Sequence, residues 1–211
     1  MSRYLARAAL SVFACLVSLS SGAQPPAGRY IELRPPQPTN DPSRIVVAEF
    51  FSYQCPHCFS FLPALDAWVR DLPEDVSFER VAVSIGHQPW VPIARAFYAL
   101  QAMEQVDALD TPIFRAIHVH GVRLLDEAAV TSWVAEQGVD RAQFSRIYGS
   151  FSVDSFLARG EQLARTHRIP SVPALVIDGR FVVPIIDNNT FADQFASVDQ
   201  LIARVRARRA L

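Results

Sequence analysis

Two thiols separated by two residues, in Cys55-Pro56-His57-Cys58, are the groups in this chain best suited to covalent chemistry. Thiols at that spacing close a small disulfide ring when the second lies about one helical turn beyond the first. Pro56 suits the first position of a helix, where its missing N–H takes nothing from the hydrogen-bond ladder. Cys55 would then stand at the positive end of that helix, which favours its thiolate. His57 adds a positive or donor-rich imidazole between the sulfurs; a stabilised thiolate means a stabilised reduced form and a more oxidising disulfide. The plainer alternative for His57 is an exposed turn histidine. Cys58 is expected to be the more buried thiol and to resolve intermediates formed at Cys55.

Glu49 is an acid near the end of an apolar stretch that reads as a central strand, where an ionised carboxylate is costly. Either it turns outward at the strand end, or it lies below the dithiol and moves protons to and from Cys58; the second is our expectation. Zinc sites share the Cys-x-x-Cys spacing but need two further ligands, and His118-Val-His120, about 60 residues away, lacks the usual spacing. No metal and no cofactor are therefore expected. His118 and His120 read as residues that cap or flank a helix, and His87 and His167 as surface or loop polar residues.

The elements that position this site follow from the rest of the chain. Arg3 and Arg7 precede an apolar run from Ala8 to Leu19, and Ser21-Gly22-Ala23 offers small residues before a cut at Gln24. Residues 1–23 thus read as a secretory signal peptide, too short to span a membrane. A retained anchor is the alternative, and the residues before Cys15 make a poor lipidation site. Cleavage removes Cys15, one of three cysteines, and leaves Cys55 and Cys58 with no third thiol to mis-pair. The leader carries two of the 20 basic residues and none of the 21 acidic ones, so the mature chain is weakly acidic. That balance argues against nucleic acid or an anionic membrane as the main partner.

Residues 24–43 form a proline-rich arm with a candidate edge strand at Tyr30–Leu33. Arg44–Phe51 reads as a buried strand, and a helix from Cys55 to about Leu72 contains Pro63, which should kink it. Val76–Val83 alternates as a strand with a phase slip at Arg80. Residues 87–168 change to helical periodicity: Ile93, Phe97, Leu100 and Met103; then Val130, Trp133 and Val134; then Phe144, Ile147 and Tyr148; then Val153, Phe156 and Leu157. Gly121, Gly138 and Gly149 mark breaks. Ala174–Ile177 and Arg180–Val183 flank Asp178-Gly179, a strong hairpin signal. A last helix presents Phe191, Phe195, Val198, Ile202 and Val205. The implied architecture is α/β: one domain from residues 44–86 and 169–211, interrupted by an inserted all-helical domain at 87–168.

The segment from Glu49 through Cys-Pro-His-Cys58, together with Val172-Pro173-Ala174 before the hairpin, resembles the DsbA family of exported thiol:disulfide oxidoreductases, and the likeness covers essentially all of the mature chain. It implies a thioredoxin fold with a helical insertion after the second core strand. It also implies Glu49 as a buried acid, Cys55 as nucleophile, Cys58 as its partner, and a cis Pro173 beside the dithiol. Val172 and Pro173 would then border a groove for an extended substrate. The expected partners are unfolded secreted proteins with free thiols and a membrane re-oxidase of the DsbB type, and a monomer is expected. The resulting expectation is a periplasmic oxidase that donates the Cys55–Cys58 disulfide. A disulfide isomerase or reductase on the same scaffold, and a non-catalytic peptide-binding chaperone, are the alternatives.

Overall fold

The computed structural model describes residues 30–185 and 190–210, so the expected leader and its cleavage site lie outside the described residues. The sheet is built on β2 (Ile45–Phe51), seven residues that are all buried. Its β-branched and aromatic composition suits a strand covered on both faces. β3 (Val76–Ala82) pairs with β2 in parallel, which requires the crossover supplied by α1 (Pro56–Arg70). On the other side β2 meets β4 (Ala174–Ile177) in antiparallel pairing, and β4 meets β5 (Phe181–Pro184). Asp178 and Gly179 turn that hairpin with φ of 52° and 59°, both left-handed, and the Arg180 N–H closes the turn on the Ile177 carbonyl at 2.9 Å. β1 (Ile31–Glu32) adds an antiparallel edge to β5, giving the order β1-β5-β4-β2-β3.

Between β3 and β4 the chain forms α2 (Val91–Ala102), α3 (Val106–His118), α4 (Glu127–Glu136), α5 (Arg141–Tyr148) and α6 (Phe151–Thr166); α7 (Phe191–Arg209) closes the described chain. Asp126, Asp140 and Ser150 cap α4, α5 and α6 by accepting from the third backbone N–H beyond them. A mixed sheet with this helical content is the DsbA-like thioredoxin fold expected from the sequence.

The sheet separates two apolar cores. On one face Ile45, Val47, Phe61 and Leu65 pack with Val198, Leu201, Ile202 and Val205 of α7. On the other, Phe51, Tyr53 and the first turn of α1 join Phe97, Ile113, Phe114 and Val130 of the helical block. α1 contributes to both, so the dithiol at its start lies at the seam.

The structure corrects three details of the sequence reading. No phase slip interrupts β3, whose register to β2 runs unbroken from Val76 to Ala82; Arg80 simply occupies an inward position in place of an apolar residue. Phe156 is 47 % exposed, because α6 buries Val153, Gly160 and Ala164 instead. His167 is 5 % exposed rather than superficial, since it ends α6 against the Phe50 ring and donates from Nδ1 to the Leu163 carbonyl at 2.8 Å.

α6 approaches the sheet closely only because residue 160 is glycine. A Cβ there would run into the Tyr98 hydroxyl, which is itself held 2.9 Å from the Ala82 carbonyl oxygen. Gly160→Ala should therefore destabilise the protein by about 1–3 kcal/mol despite alanine's better helix propensity, read as a lowered thermal unfolding midpoint.

Candidate active site

The site is assembled where β2 ends and α1 begins. Cys55 occupies the N-cap of α1 with extended φ and ψ (−87°, 117°), and Pro56 follows at the first helical position, exposed to solvent. Cys55 makes no conventional side-chain cap. Its sulfur is instead the group on which the helix start acts. Hydrogen bonding from Cys58 is the largest influence favouring the anion; the backbone N–H groups of Cys58 and His57 and the His57 charge add to it. Against the opposing effect of burial, these hold the Cys55 thiol down at about 6. The sulfur thus takes the place of the oxygen that usually caps a helix, and does so best as a thiolate.

Cys58 is treated oppositely. It is 1 % exposed, and burial, the neighbouring Cys55 sulfur and the negative charge of Glu49 all push its thiol well above the ordinary range. The two thiols are free and carry divergent proton affinities: a ready thiolate at Cys55 and a strongly basic sulfur at Cys58. His57, between them, is exposed.

The Val172–Pro173 peptide is cis, and the Val172 carbonyl oxygen lies 3.3 Å from Cys55 Sγ, where it accepts from the thiol form. Both residues are buried beside the dithiol. The segment before β4 therefore reaches Cys55 across 117 positions of sequence.

Glu49 points inward from β2 and is 1 % exposed. Its ladder partner in β3 is Arg80, whose Nε donates to Glu49 Oε2 at 2.6 Å. Burial raises the Glu49 carboxyl above its usual range; the Arg80 charge opposes this and the Asp110 charge reinforces it. Arg80 Nη1 also donates to Asp110 Oδ1 at 2.5 Å, and its guanidinium lies 3.8 Å from the centre of the Phe51 ring.

Arg80, Asp110 and His118 were not identified as site residues from the sequence. Arg80 had one visible sign, the apparent phase slip in β3. Asp110 and His118 come from α3, where Pro112 interrupts an otherwise readable helical pattern. His118 donates from Nε2 to the Tyr53 carbonyl at 2.8 Å and stacks on Phe59, the residue after Cys58, with ring centres 5.2 Å apart. It thereby braces the loop that delivers Cys55, whereas His120, beyond the helix, is exposed.

Known proteins resemble this arrangement along nearly the whole chain. The family described as DSBA-like thioredoxin domain matches residues 88–196. The thiol:disulfide interchange protein DsbA of Bordetella parapertussis is 38% identical over 97% of each chain. That of Azotobacter vinelandii is 38% identical over 72% of this chain and 71% of its own. Among solved structures, Pseudomonas aeruginosa DsbA superposes with a TM-score of 0.82 at 30% identity, covering 86% of this chain and 94% of that one. Xylella fastidiosa DsbA does so with a TM-score of 0.77 at 30% identity, covering 84% and 95%.

The ultraviolet absorbance of the Cys55 thiolate in reduced protein should titrate with a midpoint near 6 instead of near the ordinary 9.0. Cys58→Ala, which removes the strongest donor, should move that midpoint upward.

Proposed function

The chain belongs to the DsbA family of thiol:disulfide oxidoreductases, and we propose that it works as an exported dithiol oxidase that donates its Cys55–Cys58 disulfide to folding secreted proteins. The observation that carries this reading is the split between the two sulfurs, one stabilised as a thiolate and the other made strongly basic by burial. A substrate thiolate attacks Cys55 Sγ, the Cys55–Cys58 bond breaks, and the Cys58 sulfur leaves with the electron pair. As a strongly basic sulfur it takes up a proton, for which the Glu49 carboxyl is the donor. The substrate's second thiolate then attacks the substrate sulfur of the mixed disulfide, and Cys55 departs as its stabilised thiolate. The substrate has lost two electrons and the protein holds them as a dithiol.

Each neighbour has a part in this scheme. His57 and the helix start stabilise the leaving Cys55 thiolate, and Pro56 sets the helix geometry that aims the N–H groups. Val172 and Pro173 border the approach to Cys55, where an extended substrate segment lies alongside. Glu49 returns a proton to Cys58 in oxidation and removes it when a re-oxidase of the DsbB type restores the disulfide. The leader pattern at residues 1–23 supports export to the periplasm, and no helix among the described residues is long and apolar enough to cross a membrane.

Cys55→Ser should abolish oxidation of a reduced, unfolded protein, whereas Cys58→Ser should accumulate a mixed disulfide with oxidised glutathione. Equilibration against glutathione should give a potential well above the value of about −270 mV typical of thioredoxin. A potential at or below that value would overturn the oxidase reading in favour of a reductase.

A further inference from the structure

A cleft of about 650 Å³ opens between α1, β3, α2 and α3. It is lined by acids, Asp66, Glu79, Glu104, Asp107 and Asp110, around a single cation, Arg80. The guanidinium is 14 % exposed and lies between two carboxylates, Glu49 on its inner side and Asp110 on its outer side. Asp110 Oδ1 also accepts from the Tyr53 hydroxyl at 2.8 Å, so its position is set by both β3 and the loop that leads to Cys55. Among the described residues Arg80 Nη2 is buried without a hydrogen-bond partner, so Glu49, Asp110 and the Phe51 ring are the contacts that hold this guanidinium.

One cation between two anions cannot neutralise both fully. Whatever share of the Arg80 charge Asp110 takes is withheld from Glu49, and Asp110 adds its own repulsion at that carboxylate. The charged and titratable groups around Glu49 are Arg80 from β3, Asp110 from α3, Asp66 and Cys58 from α1, and Tyr53 from the loop after β2. β4 and α7 present apolar side chains to this face, among them Leu175 and Val198. Asp66, the other nearby acid, makes no hydrogen bond to Arg80 among the described residues and acts on it through space. Asp110 is therefore the group whose charge is geometrically coupled to Glu49.

We infer that Asp110 is a positioning residue for exchange at Cys58: by sharing the Arg80 guanidinium with Glu49, it keeps the Glu49 carboxyl able to gain and lose a proton. The inserted helix α3 thereby tunes proton transfer at a thiol it does not touch. This rests on the reading of Glu49 as the proton donor and acceptor for Cys58.

The test is the pH dependence of the step in which Cys58 attacks a Cys55–glutathione mixed disulfide in the full-length protein. The rate rises with pH as Glu49 ionises. Asp110→Asn leaves the Arg80 charge to Glu49 alone, so this limb should move to lower pH by roughly one unit, as expected for an opposite charge at contact distance. Asp110→Glu should restore it, and Asp107→Asn, in the same cleft without a bond to Arg80, should leave it in place. If Asp110→Asn does not fold, Asp110→Ser, which is likewise uncharged, must show the same displacement. An unmoved limb with a limb-less Glu49→Gln would overturn the role of Asp110 while leaving that of Glu49. A limb that persists in Glu49→Gln would overturn the role of Glu49 itself and this inference with it.

Discussion

The sulfur of Cys55 at the start of α1 is the group on which the rest of the site depends. An N-cap residue normally offers an oxygen to the free N–H groups of the first turn. Here the residue is a cysteine whose sulfur takes its strongest hydrogen bond from the Cys58 thiol, and those backbone groups add to it. The interaction exists in strength only when the sulfur is an anion. A disulfide sulfur carries no charge and forfeits it. The helix start therefore favours the reduced protein, and through it the transfer of the disulfide to another molecule.

The surrounding fold makes that preference usable. β2 and α1 are joined through Ser52–Cys55, and both aromatic residues of the Phe51–Tyr53 stretch are packed among Phe97 and Phe114 of the helical block. His118 fastens the same loop from α3, and the Val172 carbonyl approaches from the segment before β4. Cys58 is sealed between these layers, which makes its thiolate costly and a proton partner necessary. In the proposed scheme Glu49 serves because the neighbouring Arg80 offsets part of the desolvation of its carboxylate, and because that offset is incomplete. A fully neutralised Glu49 would remain ionised and have no proton to give.

Much of this was legible in the sequence where the signal is local. The dithiol, the proline at the helix start and the Asp178-Gly179 turn each depend on a few adjacent residues, and each stands where those residues suggested. Arg80 shows the limit. Its inward orientation left only an irregularity in the alternation of β3, because a polar residue at an apolar position reads as a break unless its partner is known. That partner, Glu49, is 31 positions away, and the second, Asp110, is 30 positions further on a helix obscured by Pro112. His167 was misplaced for a similar reason: burial at a helix end comes from Phe50 across the sheet, not from its own neighbours. Groups brought together by tertiary packing alone leave no spacing to read.

The central claim, that the folded reduced protein is stabilised by the Cys55 anion, is tested most directly by denaturant unfolding of the reduced and oxidised forms across pH. In the folded reduced protein the thiol is held near 6, and in the unfolded chain it returns to about 9.0. Between these values the unfolded reduced chain binds one more proton, so the stability of the reduced form relative to the oxidised form should rise with pH by about 1.4 kcal/mol per unit. Below pH 6 that gain should be absent; it should be greatest near pH 9, above which the unfolded chain also ionises Cys58 while the folded protein keeps that thiol protonated. A stability difference that stays constant across the window would contradict the account, because it would mean that the folded protein holds the Cys55 anion no better than water does.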